Sequence, residues 1–429
     1  MKILIKGGRI IDPANKLDAQ HDLFIDKGLI AAIGQAPDGF SADQVIDASG
    51  QIVIPGLIDL QARLREPGQE HKGTIESETR AAASGGITTL CCPPDTIPII
   101  DTPAVAKLIL ERAKQTNRVH VLPIGALTTG LKGEHLSEMH TLHEAGCIAF
   151  SNSDAPISNT LVLRRAMEYA ASHGLTLFMH ANDKWLAQGG VAHEGPVGLR
   201  LGLAGIPESA ETVEVARILA LVEQTGARVH FGQLSTGRAV EMLQRARQRG
   251  LPVSADVAVH QLHLTEMDLL DYNSYCHVLP PLRSQRDRDA LRSGLKDGTI
   301  IAICSDHQPH DVDAKQAPFA DTEAGISAVE TLLPLTLRLV DDGLLELSEA
   351  IAKLSHGPAK ILGLNAGHLG LDGRADVCIF DPDTHWSLQE DNMQSQGKNS
   401  PFLAWDFKGQ VTHTLRAGRL SYQKPESGR

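Results

Sequence analysis

The chain has no long apolar run, no block of basic residues and no paired-cysteine motif, and each lack excludes a class of function. No stretch approaches the ~20 consecutive apolar residues that cross a bilayer. Its 40 Lys and Arg are scattered and outnumbered by 52 Asp and Glu, for a formal charge of −12. Without a basic patch, nucleic acid is not an expected partner. The six cysteines, Cys91, Cys92, Cys147, Cys276, Cys304 and Cys378, form no C-x-x-C pair, and most lie in apolar strand-like runs. That pattern predicts buried, reduced thiols. The opening "MKILIKGGRIIDP" lacks the charged start, apolar middle and small-residue cleavage site of a signal peptide. A cytoplasmic protein is expected.

What is present is enough apolar material for a large core. The 429 residues are 42% hydrophobic, with a mean hydropathy of −0.12, ordinary for a globular chain of one to three domains. Residues 1–54 read as short strands separated by Gly- and Asp-rich turns, and residues 365–429 read similarly ("ADVCIFDPD", "QVTHTLRAGRLSY"). Together they predict one small β-sandwich domain built from both ends.

Residues 55–364 alternate apolar runs with amphipathic stretches. The runs are "GLIDLQA", "ITTLCC", "VHVLPI", "CIAFS", "LTLFMH", "RVHFGQ", "PVSADV" and "TIIAICS". Helix-like segments such as "PAVAKLILERAKQ", "LVLRRAMEYAASHG" and "TVEVARILALVEQTG" lie between them, several ending in Gly. Eight strands with intervening helices predict an α/β fold, a (β/α)₈ TIM barrel. The stretch 311–325, "DVDAKQAPFADTEAG", is the best candidate for a mobile loop.

In a parallel barrel the chemistry sits at the C-terminal ends of the strands. Residues two apart on a strand face the same side, so an X-x-X pair after the first strand can reach one metal. Here that pair is Gln61 and Arg63. Gln is a poor neutral ligand, and guanidinium has no free lone pair and does not deprotonate. A unit positive charge ~4 Å from a divalent cation, at an effective dielectric of ~20, is repelled by roughly 8 kcal/mol. Other strand ends carry His180, Gln233 and Asp306. His230 faces the other side of its strand. One His and one carboxylate are too few for a tight site of three or four protein ligands, and a lone strand-end His is commonly a hydrogen-bonded structural residue. Arg63 is a candidate counter-charge for Asp306, because an unpaired buried carboxylate is costly.

"PGLIDLQARLREPGQEHKGTIESETRAAASGGITTLCCPPDTIP", "HANDKWL", "SADVAVHQLHLT", "VLPPLRSQRDRDAL", "SDHQPH" and "NSPFLAWDFKGQVTHTLRAGRL" resemble, in order and spacing, the long-chain bacterial dihydroorotases of the amidohydrolase superfamily. The resemblance covers nearly the whole chain. It implies a barrel with a β-sandwich from both termini, and a family activity that interconverts carbamoyl aspartate and dihydroorotate. It also implies a zinc site built from H-x-H, an aspartate, two further histidines and a final aspartate. In this chain the first pair is Gln61 and Arg63. The family's "FSDDG" is "FSNSDA", with Asn152 and Ser153 in the acidic places and Asp154 one step beyond, where only a register shift would bring it in. The remaining ligands correspond to His180, Gln233 and Asp306. Of the substrate contacts, the arginine is kept as Arg65 and a histidine as His310. Two asparagines have become Asp95, an acid where an anionic substrate would sit, and Leu279.

The resemblance therefore points to a degenerate dihydroorotase with its metal site lost, no catalytic residue and no zinc. It is similar to the noncatalytic dihydroorotase-like chains that accompany aspartate carbamoyltransferase in pyrimidine biosynthesis. It implies that enzyme's catalytic chain as partner, in a hetero-oligomer of up to dodecameric size, and a homodimer when alone. Two other readings stay open. One is an active cyclic amidohydrolase with an atypical metal site. The other is a sensor that keeps Arg65 and His310 to bind a pyrimidine-pathway intermediate.

Overall fold

The computed structural model describes residues 1–425. Eight short strands, Leu57–Asp59, Ile87–Cys92, His120–Ala126, Ala149–Ser151, Thr176–His180, Arg228–Gly232, Val253–Ala258 and Ala302–Cys304, lie side by side in sequence order. All their pairings are parallel. They are the eight apolar runs picked out above. Strands covered on both faces lose the in–out alternation of a half-exposed sheet, and "ITTLCC" is buried throughout.

The intervening helices begin and end where local chemistry allows. Pro103 opens Pro103–Thr116, where its missing N–H costs nothing. The Asn159 side chain accepts from the amides of Leu161 and Val162 to cap Thr160–Ser172. Gly226, at φ +68°, stops Glu208–Thr225.

The barrel is nearly closed. The last strand has no ladder to the first, and the gap is bridged just beyond them by Ala62 and His307. There the Arg63 amide donates to the His307 carbonyl at 2.9 Å, and the His307 amide to the Gln61 carbonyl at 3.2 Å. Behind this bridge, buried Asp59 accepts from the Ser305 amide at 2.9 Å.

The two ends of the chain meet in a second, mostly antiparallel sheet of eight strands. Five come from the N-terminal side, from Lys2–Asp12 to Ile52–Pro55, and three from the C-terminal side, from Val377–Ser387 to Arg419–Gln423. Ile52–Pro55 pairs with Val377–Ser387 and so stitches the ends together. Inward residues such as Ile3, Ile5, Leu23, Ile25, Val377 and Ile379 gather into a core of their own. The strands of the expected sandwich are thus linked edge to edge in one hydrogen-bonded sheet.

All six cysteines are free and buried, and burial pushes the Cys92 thiol up to about 12. Among the described residues no helix is long and apolar enough to cross a membrane. The stretch 311–325, expected as a mobile loop, is largely exposed but anchored at two points. Phe319 is buried, and the Lys315 ammonium donates to the carbonyls of Glu323 at 2.6 Å and Ser274 at 3.2 Å.

Candidate functional site

The C-terminal strand ends converge on Arg63. Its side chain is buried and reaches three carboxylates. Nε donates to Asp95 at 2.6 Å, Nη2 donates to Asp154 at 2.6 Å, and Nη1 lies 3.5 Å from Asp306. The expected Arg63–Asp306 pairing is present, but it is the loosest of the three, within ion-pair reach and without a hydrogen bond. Asp95, an acid where the resemblance places an asparagine, is held by this guanidinium.

A neutral amide completes the cluster. Gln233 donates through Nε2 to Asp306, and its Oε1 lies 3.0 Å from His180 Nδ1. Gln308 also donates to Asp306, at 3.1 Å. His180 Nδ1 lies 3.2 Å from Asp154 as well. His230 points away from the site, between Ser254 at 2.9 Å and Asp256 at 3.0 Å.

Burial and charge pull these groups in different directions. Burial pushes the Asp306 carboxyl up to about 7, against the attraction of Arg63 and with help from the Asp154 charge. At Asp154 burial also works upward, but Arg63 and His180 outweigh it and hold the carboxyl below the usual range. Burial works against a charged His180, and the Asp154 carboxylate beside it overcomes that, leaving the imidazole pKa raised.

Two expectations need correction. Asn152 does not face the cluster. Its carboxamide accepts from Thr128 Oγ1 at 2.8 Å and donates to the carbonyls of Leu131 and Ala155 at 3.1 and 2.9 Å, so it staples neighbouring loops. Ser153 contributes a hydroxyl 3.3 Å from Arg63 Nη2. Asp154 supplies the acid without any slip of the strand, because Ser153 takes a left-handed φ of +51° and swings the next residue inward. No feature of the sequence announces that turn, since Ser rarely adopts it.

Arg65, Gln233 and Asp306 also hold positive φ, at +62°, +58° and +48°. Backbone strain of this kind clusters at sites where geometry has mattered.

The substrate-side residues are turned onto the protein itself. Arg65 donates from Nε to the Pro309 carbonyl at 2.9 Å and from Nη1 to Gln69 at 3.3 Å, and Nη2 lies 3.0 Å from His310 Nε2. Burial, followed by the Arg63 charge, brings Arg65 down to about 10. Burial and Arg65 bring His310 down to about 2, so the ring is neutral. Leu279 is half-buried and brings no polar group to the cluster.

Little space is left. The cavity among Gln61, Ser153, Asp154, His180 and Gln233 is about 20 Å³, and the one between Arg63, Arg65 and Asp95 about 10 Å³. Either holds a single water at most, whereas small-molecule sites run to roughly 300–1,000 Å³. The zinc that the resemblance implies does not fit this donor set. A guanidinium stands where the carboxylates converge, and among the described residues no three His, Cys, Asp or Glu side chains form a metal-binding group.

Residues 50–239 match a family model described as dihydro-orotase-like. A dihydroorotase-like protein of Pseudomonas aeruginosa is 53% identical over 423 residues, covering 99% of this chain and 100% of the relative. The chain belongs to the dihydroorotase-like family. A dihydroorotase of Syntrophus aciditrophicus is 45% identical, covering 99% of this chain and 100% of the relative. Among solved structures, L-hydantoinase (dihydropyrimidinase) from Arthrobacter aurescens superposes with a TM-score of 0.87 at 25% identity, over 99% of this chain and 96% of that one. The dihydroorotase-like chain thus shares the whole amidohydrolase architecture, barrel and terminal sheet together.

Proposed function

We propose that this dihydroorotase-like chain is a noncatalytic member of its family. It serves as a structural subunit for the aspartate carbamoyltransferase catalytic chain in the cytoplasm. One observation carries the first half of this reading. The Arg63 guanidinium is bonded to Asp95 and Asp154 and lies beside Asp306, so a fixed positive charge stands among the residues that the resemblance assigns to the metal site.

Ring opening by water needs a metal-held hydroxide. Free water has a pKa near 15.7. Asp306 alone, as general base, would contribute about 10²–10⁴-fold, short of the ~10⁶-fold or more of a typical enzyme. The second half rests on the resemblance to noncatalytic partners of the transferase, and on a barrel whose core is complete although its centre is filled.

The test has two arms. Metal analysis and a dihydroorotate assay on the purified chain are expected to give no stoichiometric zinc and no turnover. Co-expression with the transferase catalytic chain is expected to give a co-purifying hetero-oligomer whose assembly or activity fails when this chain is omitted. By itself the chain is expected to run as a dimer on a sizing column.

The name of the Syntrophus relative at 45% identity favours a second reading, an active cyclic amidohydrolase with an atypical site. That reading requires about one zinc per chain and turnover that chelation abolishes. A sensor of pathway intermediates requires heat on titration with dihydroorotate or carbamoyl aspartate. Arg65, with its guanidinium already engaged, speaks against it.

A further inference from the structure

A larger cleft opens at the other end of the barrel, where the strands begin. It holds about 430 Å³, within the range of small-molecule sites. Its floor is apolar, with Val229, Val253, Ile301 and Ile361 among its residues. Its polar rim carries Arg228, Arg247, Lys353, His356 and Lys360, and no carboxylate lines it. These five come from four different elements: the strand Arg228–Gly232 and the helices Gly237–Gln248, Leu347–Leu354 and His356–Leu362.

A local explanation accounts for each basic residue separately. Arg247, Lys353 and Lys360 lie in the last turns of their helices, where cations complement the helix dipole. Lys353 Nζ also donates to the Ile300 carbonyl at 2.7 Å, and Arg247 Nη1 to the Thr299 carbonyl at 2.8 Å. Neither role requires the charges to converge on one cleft. Nor does either explain why, among the described residues, none of the five has an ion-pair partner within 4.0 Å.

The chain as a whole is acidic, at −12, and its other large groove sets Glu208, Glu241 and Asp287 against Arg238 and Arg286. The uncompensated patch is therefore local. Lys353 is the most telling member. It is half-buried, with burial bringing it down to about 8, and Asp297 and Glu349 are near enough only to oppose that shift. An ammonium has three donors, and one is used here.

We propose that this cleft binds a small organic phosphate. The phosphate lies against Arg247, Lys353 and Lys360, and the body of the molecule rests on the apolar floor. Arginine forks and lysine charges suit phosphate oxygens, and a concave cationic rim concentrates anions from solution. The site is separate from the filled centre around Arg63, and the proposal stands whether or not the chain is catalytic.

The test is isothermal titration of the full chain in low-salt buffer with UMP, AMP, ribose 5-phosphate, uridine and inorganic phosphate. At least one organic phosphate should bind roughly 10-fold or more tightly than both uridine and inorganic phosphate, and weaken as salt rises. Lys353→Gln and Arg247→Gln should each weaken it by about 10-fold, the scale of one lost charge-assisted hydrogen bond. Because these two side chains also tie carbonyls, Lys360→Glu on the exposed rim provides a charge reversal that leaves those ties intact, and it should weaken binding too. Three outcomes would overturn the proposal. They are no binding by any of the three organic phosphates, affinity no better than that of inorganic phosphate, and binding indifferent to Lys360→Glu.

Discussion

Arg63 lies within ion-pair reach of three acids, Asp95, Asp154 and Asp306. Removing one partner of a buried ion pair is far costlier than the pair is worth, because the remaining charge stays desolvated. Arg63→Met is expected to destabilise the chain by about 3–5 kcal/mol, read from urea unfolding midpoints. Adding Asp306→Asn should recover part of the loss, since the two sites are coupled. Asp306 has its own pH signature. Burial pushes its carboxyl up to about 7 in the folded chain, against the ordinary aspartate value of 3.8. Between those values the folded state binds more protons than the unfolded one, so this group makes stability fall as pH rises. The melting temperature of Asp306→Asn should therefore decline less between about pH 4 and 7 than that of the parent.

At the scale of elements, one buried carboxylate ties the barrel to a segment from the far end of the chain. Glu78, on helix Ile75–Ser84, accepts from Ser395 Oγ at 2.6 Å and from the Gln396 amide at 3.0 Å, and lies 2.9 Å from His307 Nε2. His307 is the residue that closes the barrel. Glu78→Ala would leave several donors buried without partners, at about 1–3 kcal/mol each. A loss of about 3 kcal/mol or more is expected in urea unfolding, with faster proteolysis near 394–400. Nearby, Gly68 is needed for its shape: at φ +104° a Cβ would stand 2.2 Å from the Ile97 carbonyl oxygen, which fixes the loop after Arg65. None of this is visible in the sequence, where nothing marks out Glu78 or Gly68. What the sequence did show at this scale were the eight strands, because continuous apolar runs between Gly-terminated helices have few other interpretations. Asp154 was expected to need a register shift, because its placement depends on the backbone of Ser153, which spacing does not reveal. Asn152 was misplaced because spacing alone does not say which way a loop side chain turns.

For the whole molecule, the meeting of the two ends was legible from their shared strand-and-turn texture, while the single ladder that links them was not. Without Val377–Ser387 the strand Ile52–Pro55 loses its antiparallel neighbour just before the first barrel strand begins. Truncation after residue 364 is therefore expected to give insoluble protein, checked by the soluble fraction on expression, because an exposed apolar strand edge invites aggregation. The unladdered gap between Ala302–Cys304 and Leu57–Asp59 has a different consequence. A cylinder zipped along every edge but one has a preferred line of parting, and Arg63 sits at the mouth of that line with acids gathered from several strand ends. The side chains there act as a clasp. Weakening it would first be felt as a spreading of the rim, before the staves behind it come apart.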